Sequence, residues 1–400
     1  MVTLADVQAA RERLLPVIHR TAMLPSRTFS DLSGLDVFMK SENLQKTGSF
    51  KLRGAFNRIA TLTQEEKDRG VIASSAGNHA QGVAFGAAVH GVKATVVMPE
   101  TAPVAKVMAT QAYGAEVVLH GGIYDEAFRR AKELQAEHGY TFLHPFNDPA
   151  VIAGQGTIAL EMLEDCPDME AAVLPVGGGG LAAGVALALK SLKPGIKVYG
   201  VEAERFDSMR QSLEEGEILN VKGLPTLADG IAVKRPGDVT FGLLQTWLDG
   251  IVTVTEDEIA ESILMLLERN KFVVEGAGAV GVAALMAGKL PLAPGTRTGV
   301  VLSGGNIDIN VVSTIIEKGL VKAGRRIRVR TVVRDKPGQL SQLMDLLAGA
   351  QVNVMHVGHD RAGGDVEVGM VAIKLELETR NRHHADEVVE MMRQRGYRLV

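Results

Sequence analysis

Apolar and polar positions along the chain fall into a repeating order: a short apolar run, a glycine-rich turn, then a longer stretch with apolar residues on one helical face. Val71 to Ser74, Lys93 to Met98, Ala115 to Leu119, Ala171 to Val176, Lys197 to Val201, Ile251 to Val254 and Gly299 to Leu302 are too short for helices and read as buried strands. The stretches between them carry helix signals. Thr255 with Glu258 forms a capping box, and Ile259, Ser262, Ile263 and Leu266 share one face. Nearer the amino terminus, Thr3 and Asp6 start a helix running to about Leu15; Thr21 to Gly34 reads as a turn-rich link and Leu35 to Lys40 as a strand. Strands alternating with helices predict an α/β fold with largely parallel sheet, covered on both faces.

The pattern changes after Gly324. Ile327, Val329, Thr331 and Val333 alternate with Arg328, Arg330, Val332 and Arg334, as in a strand wet on one side. A break at Asp335 to Gly338 precedes a helix with Leu340, Leu343, Met344 and Leu347 on one face. Strands at about 352–361 and 366–378, a helix carrying Ala385, Val388, Val389 and Met392, and a closing strand at Tyr397 to Val400 complete a βαββαβ order. The predicted boundary lies between Leu320 and Arg326, giving domains 1–322 and 326–400.

Composition narrows the function classes. Forty-three Lys and Arg against 47 Asp and Glu leave a net charge of −4, with no basic field to attract nucleic acid or an anionic membrane. The arginines of 325–334 lack interleaved aromatics and read as a solvated strand face. A lone cysteine, Cys166, cannot form an internal disulfide and suits a reducing cytosol. No apolar stretch is long enough to span a bilayer, so the expected location is cytoplasmic.

Candidate chemistry sits in loops at strand ends, where open α/β sheets bind ligands. In Lys46 to Ala55, Gly48 and Ser49 precede a helix that Ser49 is placed to cap, and Lys51 falls in its first turn. The positive end of a helix disfavours an ammonium, which favours a neutral, nucleophilic amine. Gly177 to Gly180, four consecutive glycines between a strand and a helix, line up backbone N–H groups for a phosphate. The loop lacks the Lys-Ser/Thr ending of a nucleotide P-loop and the spaced glycines of a dinucleotide site, and a small phosphorylated cofactor fits it better. Ser75-Ala76-Gly77-Asn78-His79 can meet an anionic substrate, and Asn78 can equally cap the following helix. Ser303-Gly304-Gly305-Asn306 puts a hydroxyl at another strand end.

Ser41 to Ala55, Ser74 to Gly82, Ala228 to Val233 and Val301 to Asn306, in this order, resemble the pyridoxal-phosphate enzymes related to tryptophan synthase β chain, and most closely the threonine dehydratases. The resemblance covers the first three-quarters of the chain. It implies two open α/β subdomains, the smaller at about 46–148, and pyridoxal 5'-phosphate bound to Lys51 as a Schiff base. By the same resemblance Phe50 packs against the ring, Asn78 contacts its hydroxyl, Ser303 faces its nitrogen, and Gly177, Gly178, Gly179, Gly180 and Leu181 hold the phosphate. Ser75, Asn78, His79 and Glu275 are the implied substrate contacts. The implied reaction is loss of water and ammonia from L-threonine, or from L-serine, with the freed Lys51 amine as base at Cα. Serine racemases of this group carry a serine where this chain has Ala76, which points to elimination over racemisation. Glu202 and Asp207 fall near a cation site of some relatives, but Arg205 and Phe206 depart from that pattern and no metal is assigned. The tail resembles an ACT domain, an α+β, ferredoxin-like module that senses amino acids, with Asp335, Gly338 and Asn353 at the implied effector site. Such domains work in pairs, which implies a homodimer or homotetramer.

Overall fold

The computed structural model describes residues 2–361 and 366–399. The chain divides into two compact units, Met1–Ile307 and Asp308–Val400.

The first unit holds two sheets. The larger runs edge to edge as Met23–Pro25, Asp36–Lys40, Arg297–Val301, Ala171–Pro175, Lys197–Ala203 and Gly250–Val254, parallel except for the first pair. The smaller, Glu116–Leu119, Ala94–Met98, Val71–Ser74 and Thr141–Phe142, is parallel throughout and lies within the span expected for a small subdomain. The apolar runs became strands because they are buried on both faces: every residue of Val71–Ser74, Ala94–Met98 and Ala171–Pro175 is buried. The helices Pro149–Asp165 and Gly180–Leu192 are buried almost all round. They cross so closely that a Cβ on Gly184 would lie 2.2 Å from the Ile152 carbonyl oxygen, an approach open to glycine alone.

Both predicted capping boxes are present, at Thr3 with Asp6 and at Thr255 with Glu258. The expected link at 21–34 instead contains the edge strand Met23–Pro25 and the helix Arg27–Ser33, whose cap is Ser26. Phe29 is the one buried residue of that helix, too little to show a period in the sequence. Ser49 does not cap the lysine helix. Phe50 holds the N-cap position without a side-chain bond, because Ser49 is drawn into a β-bridge with Gly304.

In the second unit the helix Ile309–Lys322, expected at the end of the first domain, precedes a three-stranded antiparallel sheet. Its strand order is Arg326–Arg334, Met370–Glu378, Asn353–Asp360. The helices Gln339–Gly349 and Arg382–Gln394 bury Leu343, Leu347, Ala385, Val388 and Met392 in a core with Val371, Ile373, Leu375 and Leu377 of the central strand. This is the split β-α-β order read from the sequence. The closing strand is reduced to one bridge, Leu399 to Thr331; its predicted last residue, Val400, and residues 362–365 of the predicted hairpin lie outside the described residues. No helix among the described residues is long and apolar enough to cross a membrane.

Candidate active site

Lys51 opens the helix Lys51–Ala60 and lines a cavity of about 590 Å³. The walls are loops that follow the strands Val71–Ser74, Ala171–Pro175 and Arg297–Val301, at the C-terminal edges of both sheets. Phe50, Ser75, Asn78, His79, Gly177 to Leu181, Glu275 and Ser303 all share this wall. Residues read separately from the sequence are thereby brought to one place.

The Lys51 Nζ donates to the Pro145 carbonyl at 3.0 Å and stands 5.3 Å from the centre of the Phe50 ring. Burial lowers its pKa from 10.5 to about 8, against the opposing pull of the Glu275 charge. The sequence argument rested on the helix end; the fold adds desolvation, which acts in the same direction.

Gly180 begins the helix Gly180–Leu192, with Gly179 before it at φ +89°. A Cβ on Gly178 would lie 2.3 Å from the Phe146 ring, so this loop must be free of side chains. Its outer side is tied down by Thr240, whose Oγ1 donates to the Gly178 carbonyl at 2.6 Å. The first N–H groups of the helix have no intrahelical acceptor, and the residues that carry them line the cavity.

Asn78 does not cap its helix. Its Nδ2 donates to Glu275 Oε1 at 2.7 Å, while its Oδ1 accepts from Asn306 Nδ2 at 2.8 Å. Asn306 Nδ2 also donates to the Thr47 carbonyl at 2.8 Å, so one amide chain joins three loops and fixes which way Asn78 points. Burial, helped by the Asp229 charge, raises Glu275 to about 7. His79 is lowered to about 3 by burial and then by Lys51. Its Nε2 meets the Leu143 carbonyl at 2.9 Å and so carries the proton, which leaves a buried, unpartnered lone pair on Nδ1. Ser75 Oγ accepts from the Gly77 N–H at 3.2 Å, and the Ser303 carbonyl accepts from the Phe50 N–H at 3.0 Å.

The sequence profile described as "Pyridoxal-phosphate dependent enzyme" matches residues 14–304. The chain belongs to this family. An L-threonine ammonia-lyase from Thermotoga maritima is 51% identical over 399 residues, covering 100% of this chain and 99% of that protein. Among solved structures, the processed form of threonine deaminase isoform 2 from Solanum lycopersicum superposes with a TM-score of 0.76 at 38% identity, covering 78% of this chain and 91% of that one. Maize serine racemase superposes equally well, TM-score 0.76, at 33% identity, covering 80% of this chain and 98% of that one.

The cavity of this pyridoxal-phosphate enzyme fits its cofactor on its own geometry. It pairs an amine of lowered pKa with a glycine run where a Cβ would collide with Ile231, Phe146 or Leu244, and Ser49 Oγ, Ser74 Oγ and His79 Nδ1 are buried without partners in the segments around it. Two features escaped the sequence reading. The loop His144-Pro145-Phe146 forms part of the wall, its only outward mark being a turn-prone stretch before the Asp148 helix cap. Arg53 is fully buried, with Nε and one terminal nitrogen on the two oxygens of Glu42 at 2.8 and 2.7 Å, and both terminal nitrogens on Glu161 at 2.7 and 2.9 Å. Lys40 completes this cluster, donating to Glu161 and to the Thr21 carbonyl.

In the second unit, Asp335 and Gly338 line a separate cavity of about 440 Å³. The Asp335 carboxylate accepts from Arg361 at 2.7 and 3.1 Å, which holds its pKa below the usual carboxylate range. Asn353 is not part of that wall; it is exposed and donates to Glu378 at 3.0 Å.

Proposed function

We propose that this chain is a threonine ammonia-lyase, converting L-threonine to 2-oxobutanoate and ammonia and L-serine to pyruvate. The observation that carries this reading is the end-to-end similarity to the Thermotoga maritima L-threonine ammonia-lyase, joined to a cavity that brings Lys51 and the glycine cradle together.

When bound, pyridoxal phosphate supplies an electron sink for the charge left at Cα by proton loss. The chain's residues do the rest. Lys51 would hold the cofactor, and its amine, with a pKa near 8 and so partly neutral at physiological pH, would take the Cα proton. The N–H groups of Gly177 to Leu181 would hold its phosphate, and Ser303, Phe50 and Asn78, the last in the orientation set by Asn306, would hold its ring. Ser75, His79 and Glu275 contact the substrate. The Ser303 hydroxyl would meet the ring nitrogen without the negative charge that a carboxylate would bring there.

Maize serine racemase is similar in structure, so racemisation is the competing reading. Ala76 offers no proton donor before Gly77-Asn78-His79, and this favours elimination. Incubation with L-threonine and L-serine, assaying oxo acid and D-amino acid together, separates the two: abundant oxo acid with little D-isomer is expected, and dominant D-serine would overturn the lyase reading.

The second unit is an ACT domain in this reading, with Asp335 and Gly338 at an amino-acid effector cavity and Asn353 reaching the effector across a domain pair. The βαββα order and the sheet it forms support this. It makes the protein an allosteric homodimer or homotetramer. Steady-state rates against threonine with and without isoleucine or valine test the regulation; identical curves would remove it.

A further inference from the structure

The segment from His144 to Asn147 touches both Lys51 and the glycine loop. The Pro145 carbonyl receives the Lys51 Nζ at 3.0 Å. Phe146 lies where a Cβ of Gly178 or Gly180 would be, and so forms the other half of the glycine cradle. Asn147 Oδ1 accepts from the Val239 N–H at 3.0 Å, one residue before Thr240, which bonds the Gly178 carbonyl. The segment belongs to neither the strand Thr141–Phe142 nor the helix Pro149–Asp165, so no ladder of backbone bonds sets its path.

His144 supplies what the ladder does not. Its Nδ1 accepts from the Asn147 N–H at 2.8 Å and the Phe146 N–H at 3.3 Å, closing the turn on itself. The imidazole also meets the Phe146 ring edge to face, centroids 4.6 Å apart at 87°. An Nδ1 that accepts two N–H bonds must be unprotonated, so the ring is neutral with its proton on Nε2; burial, with Lys51 close by, lowers its pKa to about 4 and keeps it so.

We propose that His144 is a positioning residue for cofactor capture: its Nδ1 ties the turn that aims the Pro145 carbonyl at Lys51 and presses Phe146 against the phosphate cradle. This rests on the pyridoxal-phosphate reading above. His144 acts through the turn and takes no part in the chemistry.

The distinguishing variants follow from atom positions. Asparagine carries an acceptor oxygen as many bonds from the backbone as histidine Nδ1 and can close the same turn. Phenylalanine keeps the ring contact and loses the acceptor. Apoprotein of wild type, His144→Asn, His144→Phe and His144→Ala is titrated with pyridoxal phosphate, reading visible absorbance, and each apoprotein's melting temperature reports folding. Leaving two part-buried N–H groups without their acceptor and the turn untied is expected to weaken binding by at least about tenfold in H144A and H144F, with H144N within about threefold of wild type. The proposal is overturned if H144F binds like wild type, or if folded H144N binds as weakly as H144A. Wild type that takes up no pyridoxal phosphate would instead refute the cofactor reading itself.

Discussion

Lys51 and Arg53 leave one helix two residues apart, about 200° around its axis, and enter different surroundings. Arg53 turns into the protein, where Glu42 and Glu161 each accept two hydrogen bonds from it and Lys40 balances the second carboxylate. Lys51 turns into the cavity, where its one hydrogen bond goes to a neutral carbonyl and the Glu275 carboxylate acts from a distance. Burial acts against charge in both places. Paired carboxylates more than offset it for Arg53, whose pKa is raised, and Lys51 is left with a lowered one. Counter-charge thus separates a buried cation that holds structure from one kept available for chemistry.

The largest test removes the reactive partner. Lys51→Ala should lower oxo-acid formation from L-threonine by at least about a thousandfold, since it deletes both the cofactor's attachment and the base, while urea unfolding shows the fold intact. Ammonia production near the wild-type rate would end the mechanism. Arg53→Met should act through stability, costing about 3–5 kcal/mol because the buried Glu42 carboxylate loses its cation and Glu161 keeps only Lys40. Urea unfolding of the apoprotein measures this, and a variant as stable as wild type would erase the contrast drawn above.

The contrast sharpens with pH. The apoprotein's rate of imine formation with pyridoxal phosphate requires neutral amine, so it should rise with a midpoint near 8; a midpoint above 10 would mean that burial does not hold the amine neutral. A lysine pKa below its unfolded value adds stability above the unfolded value, 10.5, that is lost as pH falls through about 8. Glu275 has the opposite sign: with its pKa raised from 4.5 to about 7, its contribution is complete below 4.5 and is lost as pH rises through 7. Glu275→Gln keeps an acceptor for Asn78 and should flatten apoprotein stability between pH 4.5 and 7, the smallest of these effects. Urea midpoints across that range measure it, and an unchanged slope would place the titration elsewhere.

Most strands were legible because both their faces are buried: runs such as Val71–Ser74 and Ala171–Pro175 carry their environment in their composition. Met23–Pro25 and Thr141–Phe142 were not, since two or three residues are too few to show a period and only a neighbouring strand makes them regular. Among site residues, Lys51 and the four glycines announced themselves by unusual local chemistry. His144 did not; an imidazole that ties a turn differs from any other histidine only once the turn is seen.

Spacing along the chain alone determined that Lys51 and Arg53 diverge, that strands end in glycine-rich loops, and that a smaller βαββα unit follows. Tertiary structure decided which of the two cations finds carboxylates. Glu161 lies 108 residues from Arg53 and Glu275 lies 197 from Asn78. A pKa depends on desolvation and charge within a few ångströms, and which groups come that close is settled only when the sheets and helices pack.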